Sequence, residues 1–497
     1  MSAKPRRASR TAAMQEAHQH AHAPNRFAVV PTCERLAADA ELRGRGVTLA
    51  LIDSGFFPHA DLTLPANRIE AYHDVADPNA KLEAGRPQSW QWHGTMTSVA
   101  AAGNGHLSEG LYRGLASEAS LVLVKASDQG RITEPNIARA LQWVIENKDR
   151  YGIRVVSISL GGDDDVPYTS NAVDLVAEEA VRCGLVVVVA AGNSGCTENP
   201  RPVPPANAPS VITVGGYNDH NQPDATALDL YCSSFGPTAD GLQKPEIIAP
   251  AMWVAVPILP GSAEYRRAAA LSQLAAAPDN RLPSLLKQLA ESADLPESLA
   301  AERPSAIRTS IEQALEENRV VATHYQHGDG TSFAAPVVAS VVAQMLEANP
   351  QLTPAAVKDI MIATADRIPG ESAVRQGYGV LNARRAVERA AEEQHALGPN
   401  QVGPPRVEAG QLVFRYHDDQ ARSVALAGDF NQWDPARHRF AREAHNIWRA
   451  QLEPPPPGRY RYKFVVDGTR WLDDPANAIK EPDEYGGLNS LLVLGEP

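Results

Sequence analysis

Residues 47–62 read VTLALIDSGFFPHADL, and the first half of this stretch decides the fold class. Residues 47–52 are near-continuously apolar and β-branched, without alternation, as a strand buried on both faces of a parallel sheet requires. Asp53 closes the run and Ser54-Gly55 turns the chain. Outward from it, similar runs recur at residues 121–125, 155–160, 185–191 and 211–214. Between them lie stretches of helical spacing such as 135–147, where Ile137, Leu141, Val144 and Ile145 share a face. The alternation predicts an α/β domain from about Gly46 to Glu392, a parallel sheet with helices on both faces.

Two regions break the pattern. Residues 259–325 read as helices, with Leu285, Leu286 and Leu289, then Ile307, Ile311 and Leu315, at helical spacing between prolines. This helical insert is expected either to rim the functional cleft as a lid or to be a surface elaboration. The second break is a linker at 397–410, LGPNQVGPPRVEAG, after which the period becomes two. In RYRYKFVV, residues 459–466, the side chains of Tyr460, Tyr462, Phe464 and Val466 share one face and Arg459, Arg461 and Lys463 the other. Residues 411–497 are therefore expected to form a small all-β sandwich. The predicted organisation is a disordered tail at 1–26, an α/β domain at 27–396 carrying the insert, the linker, and the sandwich.

Composition bounds the function. The chain has 497 residues, 43% hydrophobic and 21% charged, which excludes wholesale disorder and collagen-like structure. A net charge of −13 argues against a nucleic-acid partner or an anionic membrane surface. No apolar run approaches 18 residues, so no transmembrane helix is expected. The N-terminus starts basic, but QEAHQHAHAPNR follows where a secretory signal needs an apolar core. A cytoplasmic protein is the expectation, with secretion the alternative if translation starts further upstream. His18, His20 and His22 are read as part of the disordered tail rather than as metal ligands. Cys33, Cys183, Cys196 and Cys232 contain no CxxC pair, so neither a zinc site nor a disulfide framework is signalled.

Three segments supply an acid, a base and a nucleophile. Asp53 ends a buried strand, where a carboxylate can be fixed and partly desolvated to orient an imidazole. In WHGTMTSVAAAGNG, His93 is read as standing before a small-residue helix, with Gly94 permitting close backbone approach. Ser332, in GDGTSFAAPVVASVVAQML, opens an apolar helix, so its hydroxyl lies near free N–H groups and the positive end of the helix dipole. Taken singly, each is also a turn former, a loop or an N-cap.

Together and in this order they resemble the subtilisin-like serine peptidases, or subtilases. The resemblance rests on Asp53-Ser54-Gly55, His93-Gly94-Thr95 and Gly330-Thr331-Ser332-Phe333-Ala334-Ala335-Pro336, and covers residues 45–392. His59-Ala60-Asp61-Leu62, Ser234-Phe235-Gly236-Pro237 and Lys244-Pro245-Glu246-Ile247-Ile248-Ala249-Pro250 look like minor marks of the same family. The resemblance implies a serine endopeptidase acting on polypeptides. Ser332 would be the nucleophile, His93 the general base and acid, and Asp53 its orienting carboxylate. Asn193 would donate to the oxyanion with the Ser332 N–H, and Ser159-Leu160-Gly161 would pair with the substrate backbone. Met96 and Asp329 depart from the family pattern at positions that carry no chemistry, and His324 and His327 are read as surface loop residues. No cofactor is implied for the chemistry and no metal-site residues are assigned. Structural calcium stays open, Asp163-Asp164-Asp165 being a simple run. Secreted members carry a chaperone-like propeptide; with 52 residues ahead of Asp53, the expectation is unaided folding or a short masking segment at 1–26.

At the other end, Leu426-Ala427-Gly428-Asp429-Phe430-Asn431-Gln432-Trp433, Tyr462-Lys463-Phe464-Val465-Val466-Asp467-Gly468, Trp471 and Gly487-Leu488-Asn489-Ser490 resemble the glycogen-binding domains of AMP-activated kinase β subunits and starch-branching enzymes. The resemblance implies an α-glucan partner, with Trp433 and Trp471 stacking on sugar faces and Lys463 and Asn489 bonding hydroxyls. The plainer reading is a spacer or protein-docking module. For the whole chain, the alternatives to a peptidase held on glucan are a latent peptidase acting as a scaffold and, weakest, a glucan-processing enzyme, since no paired-carboxylate barrel remains.

Overall fold

The computed structural model describes residues 29–163, 166–222, 228–393, 404–408, 410–418, 420–442, 447–477 and 479–494. The tail at 1–26, most of the linker, and Asp164 and Asp165 lie outside the described residues. The main sheet is built from β1 (Thr48–Asp53), β2 (Ile69–Asp74), β3 (Ser120–Lys125), β4 (Ile153–Ile158), β5 (Val186–Ala190), β6 (Ile212–Asn218) and β7 (Ile247–Pro250). They lie parallel in the order β7-β6-β5-β4-β1-β3-β2, and the short strand Asp229–Leu230 adds antiparallel to β6. Every residue of β1 is buried, as its apolar run Leu49–Ile52 requires, with Thr48 and Asp53 buried at its ends.

Helices cover both faces. On one side lie α1 (Trp92–Ala102), α7 (Thr331–Ala348), α8 (Pro354–Thr364) and α9 (Ala383–Glu392), whose small and branched side chains join Leu49, Leu51, Val186 and Val188 in one core. On the other, α2 (Glu134–Tyr151) and α3 (Ala172–Arg182) pack Ile137, Leu141, Val144 and Val173 against Ile52, Val124 and Val156. The helix α7 has the length and apolarity of a membrane span, yet it is the buried core helix of this domain.

Residues 255–327 form a compact unit with its own core. Its helices α4 (Ala263–Ala276), α5 (Leu282–Ala293) and α6 (Pro304–Glu317) bury Leu271, Leu286, Ile307 and Ile311 against one another.

The C-terminal region contains two antiparallel sheets. One pairs β8 (Gln411–His417) with β10 (Ile447–Leu452); the other has the order β9-β11-β14-β13, from β9 (Val424–Gly428), β11 (Gly458–Val466), β14 (Leu488–Leu494) and β13 (Lys480–Pro482), with β12 (Arg470–Leu472) on β11. Tyr462, Phe464 and Val466 of β11 enter the core with Phe414, Leu426 and Trp448, as the alternation predicts. The sandwich is docked on the α/β domain. Lys480, its side chain fully buried, bonds both Asp473 and Asp359 of α8, and Tyr378 Oη donates to the Lys480 carbonyl at 2.9 Å.

The cysteines depart from expectation. Cys196 and Cys232 form a disulfide, while Cys33 and Cys183 are free thiols. The two stand 36 positions apart, with no motif that would announce the pair.

Candidate active site

The carboxyl end of β1 delivers Asp53 to the centre of the α/β domain, 1% exposed. Its Oδ1 accepts from the Ser54 N–H at 2.6 Å and meets His93 Nδ1 at 2.7 Å; its Oδ2 accepts from Thr97 Oγ1 at 2.9 Å. A carboxylate can only accept, so Nδ1 carries the proton and Nε2 is left as the basic nitrogen. Burial works to lower the His93 pKa, but the charge of Asp53 and its hydrogen bond outweigh it, and the net shift is upward.

The residues after His93 explain themselves locally. A Cβ at Gly94 would lie 2.3 Å from the Gly55 carbonyl oxygen and 2.9 Å from Asp53 Cβ, so only glycine lets α1 approach the strand end. Thr95 Oγ1 donates to the Gln91 carbonyl and accepts from the Phe57 N–H, tying the helix start to the turn after Asp53. Met96 is buried in α1, and Asp329 Oδ1 accepts from the Trp253 N–H. His324 belongs to the insert, its ring beside Tyr265.

Ser332 lies in the first turn of α7, partly exposed, with its carbonyl accepting from Ser159 Oγ at 2.9 Å. The next residue, Phe333, places its ring 6.2 Å from that of His93, centroid to centroid. Before it, Thr331 is buried and clasps Asn193: its N–H and its hydroxyl both reach Asn193 Oδ1, at 3.0 and 3.1 Å. With the amide oxygen held this way, the exposed Asn193 directs Nδ2 as its donor edge. Ser159-Leu160-Gly161 continue from β4 beyond its last ladder pairs, Ile158 with Val189 and with Ile52. Asp53, His93, Ser332, Asn193 and Ser159 thus gather at the carboxyl ends of the strands, where open α/β sheets bind ligands.

On the sandwich, Trp433 and Trp471 stack 6.5 Å apart. Both Gln432 and Trp433 take left-handed backbone conformations (φ of +59° and +60°), a costly state for a bulky side chain. The buried Asn431 holds them there by bonding the Gly428 N–H and the Leu426 carbonyl. The register Tyr462↔Ser490 brings Asn489 level with Lys463, which bonds Asp483. Lys463, Asn489 and Trp471 therefore share the outer face of one sheet, and Trp433 stacks on Trp471 from the loop after β9.

Residues 44–380 match the subtilase family of peptidases. This chain belongs to that family. As a subtilase it is 32% identical over 356 residues to the serine protease AprX of Bacillus subtilis, covering 70% of this chain and 67% of that protein. Subtilisin E of the same species is 35% identical over 184 residues, 36% of this chain and 43% of that one. A cold adapted subtilisin-like serine proteinase of known structure shares 21% identity with a TM-score of 0.43, covering 69% of this chain and 89% of its own. Residues 396–482 match carbohydrate-binding module 48, the isoamylase N-terminal domain. Chemistry in this family needs no cofactor; among the described residues no group of three or more His, Cys, Asp or Glu is placed to hold a metal ion.

Three residues of this subtilase escaped the sequence reading. Thr97 stands four positions after His93, the spacing that puts both on one helix face. Trp92, 47% exposed, sets its ring edge-on to His93 at 5.2 Å. Tyr485, 94% exposed, crowns the turn whose N–H groups bond Asp483, the partner of Lys463; an aromatic followed by Gly-Gly was the available signal.

Proposed function

We propose that this subtilase is an active serine endopeptidase with Asp53, His93 and Ser332 as its triad. Ser332 Oγ attacks the scissile carbonyl while His93 Nε2 takes its proton, later returning it to the leaving amine. Asp53 holds the tautomer and stabilises the imidazolium. The oxyanion is received by Asn193 Nδ2 and the Ser332 N–H at the start of α7, where the helix dipole assists. Substrate backbone lies along Ser159-Leu160-Gly161. The single observation that carries this reading is the 2.7 Å bond between His93 Nδ1 and the buried Asp53, which leaves Nε2 as the basic nitrogen of the ring. Labelling with a fluorophosphonate probe tests it. The native chain should label and Ser332→Ala should not; a folded native chain that resists labelling would favour the latent scaffold.

We further propose that the C-terminal module binds an α-glucan, which would hold the enzyme on a cytoplasmic glycogen-like polymer. The strained backbone that presents Trp433 to Trp471 supports this, since such strain persists where a ligand site needs it. Native gels cast with glycogen measure it: migration should be retarded, and Trp433→Ala or Trp471→Ala should restore it. Equal migration of all three proteins would leave the module a spacer.

A further inference from the structure

The disulfide stands three residues from Asn193, and the two features share a loop. Residues 192–196 run from the end of β5 back against the segment 232–234. Ser234 N–H donates to the Gly192 carbonyl at 2.8 Å, Ser194 N–H to Ser234 Oγ at 3.1 Å, and Gly195 N–H to the Cys232 carbonyl at 3.0 Å. A Cβ on Gly195 would sit 1.9 Å from the Ser233 carbonyl oxygen, so the two strands of the loop touch. The 232–234 segment is itself fixed to the sheet: Gly216 N–H donates to Ser233 Oγ at 2.6 Å and Tyr231 N–H to the Gly216 carbonyl at 3.0 Å. The Cys196–Cys232 bond is the one covalent tie between the loop that carries Asn193 and that anchored segment. Cys196 is exposed, while Cys232 is partly covered.

From this juxtaposition we infer that the Cys196–Cys232 bond is a thiol–disulfide exchange site that sets the competence of the oxyanion hole, with a dithiol as its redox partner. The inference rests on the reading of Asn193 as an oxyanion donor. A thiolate of the dithiol attacks the exposed Cys196 Sγ, the S–S bond breaks, and Cys232 leaves as a thiolate that takes a proton. The second thiol of the reductant then displaces Cys196 from the mixed disulfide. Two electrons pass to the protein disulfide, giving two thiols, and the dithiol leaves as its own disulfide. Exposed disulfides are the exchangeable ones. Oxidised, the loop holds Asn193 where Thr331 grips its amide oxygen. Reduced, it keeps only the hydrogen bonds named above, and the donor is less well placed.

The test uses the full chain with Cys33→Ser and Cys183→Ser, which removes the other thiols. Dithiothreitol is the probe, alkylation by N-ethylmaleimide counts the thiols formed, and turnover of a peptide is followed alongside far-UV circular dichroism. Reduction should lower kcat by about tenfold, short of the ~10²–10³ known for loss of a subtilisin's oxyanion asparagine, with KM held within about twofold. Reoxidation should restore it. Cys196→Ser/Cys232→Ser should sit permanently at the reduced level and ignore dithiothreitol. Thiols that appear with kcat unchanged, a bond that dithiothreitol does not open, or loss of the circular dichroism on reduction would each overturn the inference. Asn193→Ala separates the two readings: full turnover in that variant would refute the oxyanion role, whereas low turnover that no longer responds to dithiothreitol places the redox effect at Asn193.

Discussion

At Asp53 four donors converge: the Ser54 N–H and hydroxyl, the His93 Nδ1–H and the Thr97 hydroxyl. The His93 pKa is raised above its ordinary 6.5, and the proposed general-base role needs the neutral ring. The acid limb of kcat/KM should therefore lie above that value, with activity lost as pH falls through it. Thr97→Val strips Oδ2 of its donor. The carboxylate becomes more basic, His93 keeps its proton to higher pH, and the limb should move further up; Thr97→Ser should return it. A pH–rate profile of Thr97→Val superimposable on the native one would dismiss Thr97 as a positioning residue. The motif residues were legible because each backbone demand left a letter behind, as with the contact that only glycine allows at position 94. Thr97 left none, since a threonine among Thr95, Ser98 and Val99 carries no signal of its own. The grip of Thr331 on Asn193 spans 138 residues, a contact that only tertiary folding creates.

At the level of elements, the strands that showed were those buried on both faces. Residues 47–52 and 185–191 matched β1 and β5 within a residue or two at each end. The edge strand β2, IEAYHD, is half exposed and mixes polar with apolar residues, so its sequence lacks the run. The strand β7 is short and ends in proline, which hid it. Alternation placed the core face of β11 correctly but missed Val465, buried on the outer face opposite Trp471. Lys480 is the hardest case: between Ile479 and Glu481 it reads as a surface lysine, whereas its side chain is fully buried between two aspartates from different domains. Lys480→Met should leave both carboxylates without their cation and destabilise the docked state by about 2 kcal/mol, less than a fully buried pair because Asp473 keeps contact with water. Calorimetry should show an earlier transition for the sandwich; an unchanged melting profile would refute the role of Lys480 in docking.

Across the whole molecule, the insert enters and leaves through neighbouring strands, Val254–Pro257 and Tyr325–Gly328. Its ends are close and its core is its own. Replacing residues 259–324 by a short glycine-rich turn should therefore leave the remaining chain folded, with a melting temperature within a few degrees of the native one; an unfolded product would show the insert to be integral. The docking of the sandwich has a different consequence. A binding module on a free tether lets its enzyme sweep a volume set by tether length. Here Lys480, Tyr378 and the Arg459 bond to the Gly241 carbonyl fix the module against the catalytic domain. With polymer on the Trp433 face, the scissile-bond machinery would be held at one height and one bearing above the granule. Selection among the proteins adsorbed there would then be made by where on each protein a loop protrudes, as much as by which amino acids that loop contains.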